Sequence, residues 1–336
     1  MLSFLILALA LGQLTPGSSI SPAVCPTDTP SAFPFFQKEV GTGTKGDSAT
    51  VPWFDLKAAL DSVVAAYAAP GWRTGIAVIS CTRDTLLYGH NSKQPITPAS
   101  NQKLLVTTCA LEHWDPGLVR ELDARLDSTR LRAHIHRANR KLVDSLGLDA
   151  HPEFAGYRHL VLANRESDNA EAEWMLSALG RRHRTNPVAL LRCFLDEKSV
   201  ERPGLRIADA CGRSHDNRVA PVTLARLLVR TYQGPSRDLF ISTLAKPGRP
   251  GTLIKRNLDA GPRVAAKTGY IRGVFSLSGY LSVPTDTLAF SFIVNRCSAG
   301  TPAYTLFNAL LNTLYRWAEG EPLNAGRAVK ADTGSN

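Results

Sequence analysis

The sequence has no C-x-x-C pair, no internal repeat and no apolar run long enough to cross a bilayer. Each absence removes a class of protein. The cysteines (Cys25, Cys81, Cys109, Cys193, Cys211, Cys297) are scattered, so neither a zinc module nor a dithiol redox centre is expected. The longest apolar stretch, Leu2 to Leu11, is well short of the ~20 residues a spanning helix needs. His134, His136, His151 and His159 lack clustered carboxylates, so they read as solvated histidines of a basic helical block rather than metal ligands. No metal and no organic cofactor is implied. With 44% hydrophobic and 20% charged residues over 336 positions, the chain is also not disordered, collagen-like or a coiled coil.

The charge is lopsided, 39 basic against 29 acidic residues and a formal net charge of +10. The basic residues run from Arg73 to Lys330 without an aromatic-interleaved patch, so nucleic acid is not an expected partner. A positive field suits an anionic polymer such as a cell wall. Leu2–Leu11, followed by Thr15-Pro16-Gly17-Ser18-Ser19, reads as a secretory signal over residues 1–19, although no Lys or Arg precedes it. Val24 before Cys25 is too bulky for a lipid-attachment signal, which leaves at most peripheral membrane association. The expected location is therefore periplasmic or extracellular, where disulfides are permitted but not assignable from spacing. Cys109 lies in an apolar helical stretch and reads as a buried free thiol.

Residues 20–50 are rich in Ser, Thr, Pro and Gly and read as a linker, and residues 321–336 as a flexible tail. Between them, periodicity predicts helices over Trp53–Ala68, Ser100–His113, Asn169–Leu179, Pro187–Leu195 and Pro221–Tyr232. A hairpin is expected from Gly75–Ser80 and Thr85–Tyr88, and further strands at Val264–Thr268, Val274–Val283 and Thr287–Asn295. Leu160–Ala163 looks strand-like, and Phe307, Leu310, Leu311, Leu314 and Trp317 mark a closing amphipathic helix. If the early hairpin joins the late strands, the result is an α+β fold: one antiparallel sheet flanked by helices, plus a helical lobe. The catalytic domain would span 51–320, with a sheet lobe (51–99 and 260–320), a helical lobe (100–259) and a cleft between them.

Three short elements carry chemistry. In Pro98-Ala99-Ser100-Asn101-Gln102-Lys103, the proline starts a helix and Lys103 sits three residues from Ser100 on the same face. A neutral lysine there could take the serine proton and create a nucleophile. Ser167-Asp168-Asn169 offers a second hydroxyl to relay a proton, and an amide to hold a substrate carbonyl or Lys103. Lys267-Thr268-Gly269 lies on an apparent strand, where Gly269 lets a substrate approach the backbone and Lys267 and Thr268 can meet a carboxylate. Singly, each reads as an ordinary helix cap or solvated lysine. Together and in this order, S-x-x-K, S-D-N and K-T-G form the motif set of penicillin-binding proteins and class A β-lactamases.

Those segments, with Asp209-Ala-Cys-Gly-Arg-Ser214, Gly251-Thr-Leu-Ile-Lys-Arg256 and Lys267 through Tyr280, resemble the D-Ala-D-Ala carboxypeptidase/endopeptidase family, the low-molecular-mass penicillin-binding proteins of the penicillin-binding-protein-4 type. Lys103 and Ser167 are too close in sequence for that family's long inserted domains, so this would be a compact form. The resemblance implies a serine D,D-peptidase acting on D-Ala-terminated or D-Ala-linked peptidoglycan peptides, with β-lactams as inhibitors. It implies catalytic roles for Ser100, Lys103, Ser167, Asn169 and Lys267, substrate contacts at Asp168, Thr268, Gly269 and Tyr270, and an oxyanion hole from the N–H groups of Ser100 and Tyr270. Lys103 is expected to be neutral through burial and the charge of Lys267. Tyr270 replaces the family's usual Thr, and Ala210-Cys211 its Gly-Ser pair; weaker recognition of a free C-terminal carboxylate is expected. The alternatives are a class A-like β-lactamase, for which Glu201 is the nearest deacylating candidate, and a penicillin-binding sensor that does not turn over.

Overall fold

Alternation of side chains along the strands decides how the layers stack. The computed structural model describes residues 53–113, 117–118, 120–121, 157–256 and 258–321. The signal, the linker, Cys25, His134, His136, His151 and the tail from residue 322 lie outside them. In chain order the elements are α1 (Trp53–Tyr67), β1 (Arg73–Ser80), β2 (Thr85–His90), α2 (Lys103–Glu112), α3 (Tyr157–Asn164), α4 (Asn169–Arg182) and α5 (Pro187–Glu197). They continue with α6 (Pro221–Gln233), α7 (Arg237–Thr243), β3 (Val264–Ile271), β4 (Val274–Val283), β5 (Asp286–Asn295) and α8 (Gly300–Ala318).

In β1, Ile76 and Val78 enter one core cluster while Ala77 and Ile79 enter another. β5 divides the same way, with Leu288, Phe290, Phe292 and Val294 on one face and Ala289 and Ile293 on the other. A sheet apolar on both faces must be covered on both. α1 and α8 pack together over the first face, and the helices from α2 to α7 build the second core, where α6 lies on β1 and β5.

The five strands run β2-β1-β5-β4-β3, all neighbours antiparallel. The early hairpin thus joins the late strands through β1 and β5, from Arg73 opposite Asn295 to Ser80 opposite Leu288. β3 is the last strand of the sheet, and beyond it the described residues add a single antiparallel bridge between Ala245 and Ala266. That edge carries Lys267, Thr268 and Gly269.

Two readings need correction, and one helix was not expected. Leu160–Ala163 belongs to helix α3, not to a strand; the helix packs against α2, α4 and α7, which hides its polar–apolar period. α7 had no sequence signal strong enough to predict it, being only seven residues long. His159 is not solvated: it is fully buried, with Nδ1 2.8 Å from Glu171 Oε1 on α4. None of the five described cysteines forms a disulfide, and Cys109 is a buried thiol.

Phe307 on α8 is fully buried, its ring 6.0 Å from that of Phe292 on β5. Phe307→Ala is expected to cost about 3–5 kcal/mol of unfolding free energy, read as a lowered denaturant midpoint with an unchanged slope. A loss under ~1 kcal/mol would mean that α8 does not seal this core.

Candidate active site

The turn that bears Ser100 is tighter than an α-helix. Ala99–Gln102 form a 3₁₀ turn after Pro98, and the α-helix begins at Lys103. Residues three apart eclipse one another in a 3₁₀ turn, so Lys103 stands directly over Ser100. Its Nζ donates to Ser100 Oγ at 2.9 Å, to Asn169 Oδ1 at 2.8 Å and to the Cys211 carbonyl at 2.7 Å. An ammonium has three protons and all three are used. Burial still wins in part and lowers the Lys103 pKa to about 8, while the negative field of Asp168, Asp209 and Glu173 holds it up.

Ser167 and Lys267 form a second pair. Ser167 sits at a φ of 61° just before α4, and Lys267 Nζ donates to its Oγ at 2.8 Å and to the Thr268 carbonyl at 2.8 Å. Lys267 is fully buried, which pushes its pKa well below the ordinary lysine value, and the charge of Lys103 adds to this. The repulsion expected to neutralise Lys103 is therefore expressed on Lys267. Asp168 is the N-cap of α4, its Oδ1 accepting from the Glu171 N–H at 2.9 Å. Tyr270 turns its ring onto Phe275, its partner across β4, with centroids 5.0 Å apart.

The two pairs are joined through the turn itself. Asn101 Nδ2 donates to the Lys267 carbonyl at 2.9 Å, and its Oδ1 accepts from Ser278 Oγ at 2.5 Å. Ser278 also lies 2.9 Å from Ser291, and Ser276 Oγ donates to the Pro98 carbonyl at 2.6 Å. These serines hold Ala99 at a φ of 49°, a strained value for an L-residue. A Cβ on Gly269 would lie 3.0 Å from the Ser100 nitrogen, so β3 runs directly against the nucleophile's own amide. Ala266 gives both backbone groups to Ala245 on the outer edge. By the two-residue period, those of Thr268 and Tyr270 face the same edge.

Sequence reasoning passed over Asn101, Ser276, Ser278 and the role of the 209–214 loop. The replaced side chains in that loop matter little to Lys103, because the contact is a main-chain carbonyl. Glu173 Oε1 accepts from the Ala210 and Cys211 N–H groups at 3.0 Å each, and Asp209 accepts from the Gly212 and Ser214 N–H groups. Glu173, Asp209 and Cys211 are the one group with metal-ligand potential among the described residues, but both carboxylates are committed to these amides. An open cleft here is lined by Asn169, Glu173, Cys211, Arg213 and Ser214. In the turn Ser214-His215-Asp216, Ser214 Oγ accepts from the Asp216 N–H. Glu201 pairs with Lys93 at 3.2 Å.

Gly212 has a φ of 86°, and a Cβ there would lie 1.9 Å from the Ala99 carbonyl oxygen. Gly212→Ala must move the loop or the nucleophile turn, so acylation by a fluorescent penicillin should slow at least about tenfold, with a lower melting temperature. Wild-type acylation in this variant would show that the close approach of loop and turn is unnecessary.

Comparison with known proteins bears on this geometry. The model of the D-Ala-D-Ala carboxypeptidase 3 (S13) family matches residues 56–151 and 157–307. The D-alanyl-D-alanine carboxypeptidase DacB of Haemophilus influenzae is 27% identical over 172 residues, 46% of this chain and 36% of that protein. A D-alanyl-D-alanine carboxypeptidase of an Actinomadura species is 30% identical over 176 residues, 49% of this chain and 32% of that protein. The matches thus span about a third of the length of these curated relatives. Among solved structures, penicillin binding protein 4 of Haemophilus influenzae, complexed with a β-lactam, superposes with a TM-score of 0.59 at 13% identity, covering 76% of this chain and 99% of that one. A β-lactamase of Sphaerobacter thermophilus does so at 0.54 and 15%, covering 79% and 98%. Both share the fold.

Proposed function

The chain belongs to the D-Ala-D-Ala carboxypeptidase 3 (S13) family, and on that premise we propose that it is a serine D,D-peptidase opening D-Ala-terminated or D-Ala-linked cell-wall peptides. The observation that carries this is Lys103 Nζ, 2.9 Å from Ser100 Oγ and fixed from two other sides by Asn169 and Cys211. In its free-amine form Lys103 takes the Ser100 proton, and Oγ attacks the carbonyl carbon beside D-Ala. The N–H groups of Ser100 and Tyr270 receive the oxyanion, a contribution of about 2.7–4 kcal/mol per donor in sites of this kind. Collapse expels the amine, which takes its proton from Ser167 Oγ; the proton that Lys103 took from Ser100 restores that hydroxyl, while Lys267 holds its oxygen in place. Water then releases the acyl group. Thr268 and Lys267 meet the substrate carboxylate.

A wall substrate requires export, and the signal-like residues 1–19 support a periplasmic or extracellular location. β-Lactams, as mimics of the scissile peptide, would acylate the same serine. A lactamase reading needs a carboxylate placed to activate the deacylating water. Its nearest sequence candidate, Glu201, is engaged by Lys93, and its carbonyl accepts from Thr223. The penicilloyl adduct is therefore expected to be long-lived.

Fluorescent penicillin should label the protein covalently at Ser100, and Ser100→Ala should abolish the label. An adduct mapped to Ser167, or rapid hydrolysis of benzylpenicillin, would overturn the assignment.

With a Lys103 pKa of about 8, about a tenth of the molecules carry the free amine at pH 7 and most do at pH 9. The acylation rate should accordingly rise about tenfold across that range and then level off. Lys103→Arg, which cannot lose its proton at working pH, should acylate orders of magnitude more slowly and lose the pH step. A flat wild-type profile would move the base elsewhere.

A further inference from the structure

Three polar side chains lie wholly buried in the helical core, strung between the elements that carry the three catalytic motifs. Thr107 on α2 donates through Oγ1 to Asn164 Oδ1 at 3.1 Å, and Asn164 Nδ2 donates to Thr243 Oγ1 at 2.8 Å. Thr243 in turn donates to the Phe240 carbonyl at 2.7 Å. Thr107, Asn164 and Thr243 are each fully buried. The last carbonyl can only accept, which fixes the direction of the whole chain. Thr243 spends its proton there, so the amide must turn its NH₂ to Thr243 and its oxygen to Thr107. Thr108, the next residue on α2, instead spends its hydroxyl on the carbonyls of Leu104 and Leu105 in its own helix.

Each member stands close to a working group. Thr107 lies four residues beyond Lys103, one turn along the same face of α2. Asn164 ends α3, three residues ahead of Ser167, and the turn between them is bound to that helix. The Glu166 N–H donates to the Val161 carbonyl at 3.3 Å, and the Asp168 N–H to that of Leu162 at 2.9 Å. Ser167 therefore moves with α3. Thr243 ends α7, two residues before Ala245, whose N–H and carbonyl pair with Ala266, the neighbour of Lys267. The buried contact of His159 with Glu171 joins α3 to α4, and the Asn164 chain joins it to α2 and α7.

We infer that Asn164 is a positioning residue: by bonding α2 and α7 at once, it sets Ser167 against the Ser100–Lys103 pair and Lys267, and so aims the hydroxyl that protonates the leaving amine. Apolar contacts between helices tolerate a small slide, because they have no direction. An amide shared by two hydroxyls does not, since a slide strands a buried donor or acceptor that no water reaches. A displacement of about 1 Å at a reacting group costs on the order of 10²-fold in rate. The inference rests on the peptidase reading for the nature of the leaving group, and adds what holds the proton donor in place.

The test compares two substrates that share one acyl group, a D-Ala-D-Ala peptide and the thioester in which sulfur replaces the leaving nitrogen. A thiol departs as its thiolate and needs no proton from Ser167, whereas the amine does. Asn164→Leu should lower kcat/KM for the peptide about tenfold or more and change that for the thioester less than about twofold. In a Ser167→Ala background the same substitution should cost nothing further on the peptide, since its effect runs through that hydroxyl. Thr107→Val, equal in shape but without a hydroxyl, should reproduce the selective loss, and Thr107→Ser should keep the wild-type ratio. These two variants carry the test if Asn164→Leu does not fold. Equal losses on both substrates, additivity with Ser167→Ala, or wild-type rates in both Asn164→Leu and Thr107→Val would each overturn the inference. A wild type that is acylated by penicillin but leaves both D-Ala substrates intact would overturn the peptidase reading alone. The same cycle, read on the rate of penicillin acylation, whose leaving nitrogen also needs a proton, then decides the role of Asn164.

Discussion

Two lysine side chains are held out of water where the sheet meets the helical layer, and much of the surrounding structure serves to make that tolerable. A buried ammonium is costly unless every proton finds an acceptor. Lys103 finds three, from the nucleophile turn, the start of α4 and the 209–214 loop. Lys267 finds a hydroxyl and a carbonyl, and burial pushes its pKa well below the ordinary lysine value. The environments separate the two amines: one is poised near neutrality, the other biased toward the uncharged form. That separation lets two like groups a short way apart do different work.

The same constraint explains the glycines and serines around the turn. A lysine can be aimed only if the backbone it must reach is rigid, and rigidity here comes from close approach. A Cβ on Gly212 would strike the turn's own backbone, and one on Gly269 would strike Ser276 Oγ and press on the amides of Ser100 and Asn101. Ser276 and Ser278 reach up from β4 to the Pro98 carbonyl and the Asn101 amide, so the strained Ala99 is held from below. Glu173 and Asp209 spend their charge on loop amides and, by their field, keep Lys103 from losing its proton too readily. The placement of β3 at the sheet edge completes the arrangement, because an interior strand would have no free N–H or C=O to offer a peptide.

Most of the fold was legible because burial leaves periodic traces. The alternation in β4 and β5 and the Phe307–Trp317 stripe of α8 are direct records of which face meets the core. α3 was not legible, since a short helix enclosed by other helices has no polar face to betray its period. His159 was misread for a related reason: its partner Glu171 is close in sequence, but only the packing of α3 on α4 brings the two together inside the core.

The sequence by itself determined the chemistry and its order: Ser100 with Lys103, Ser167 with Asn169, and Lys267 ahead of Gly269. Spacing of three on a helical turn puts a lysine over a serine whatever the remainder of the chain does. Only the tertiary structure decided that Lys267 pairs with Ser167, that Asp168 caps α4, that Cys211 serves through its carbonyl, and that Tyr270 packs on Phe275. Those outcomes depend on register across the β3–β4 pair and on the approach of two loops distant in sequence. Such contacts are set by packing and leave no periodic mark on the residues that make them.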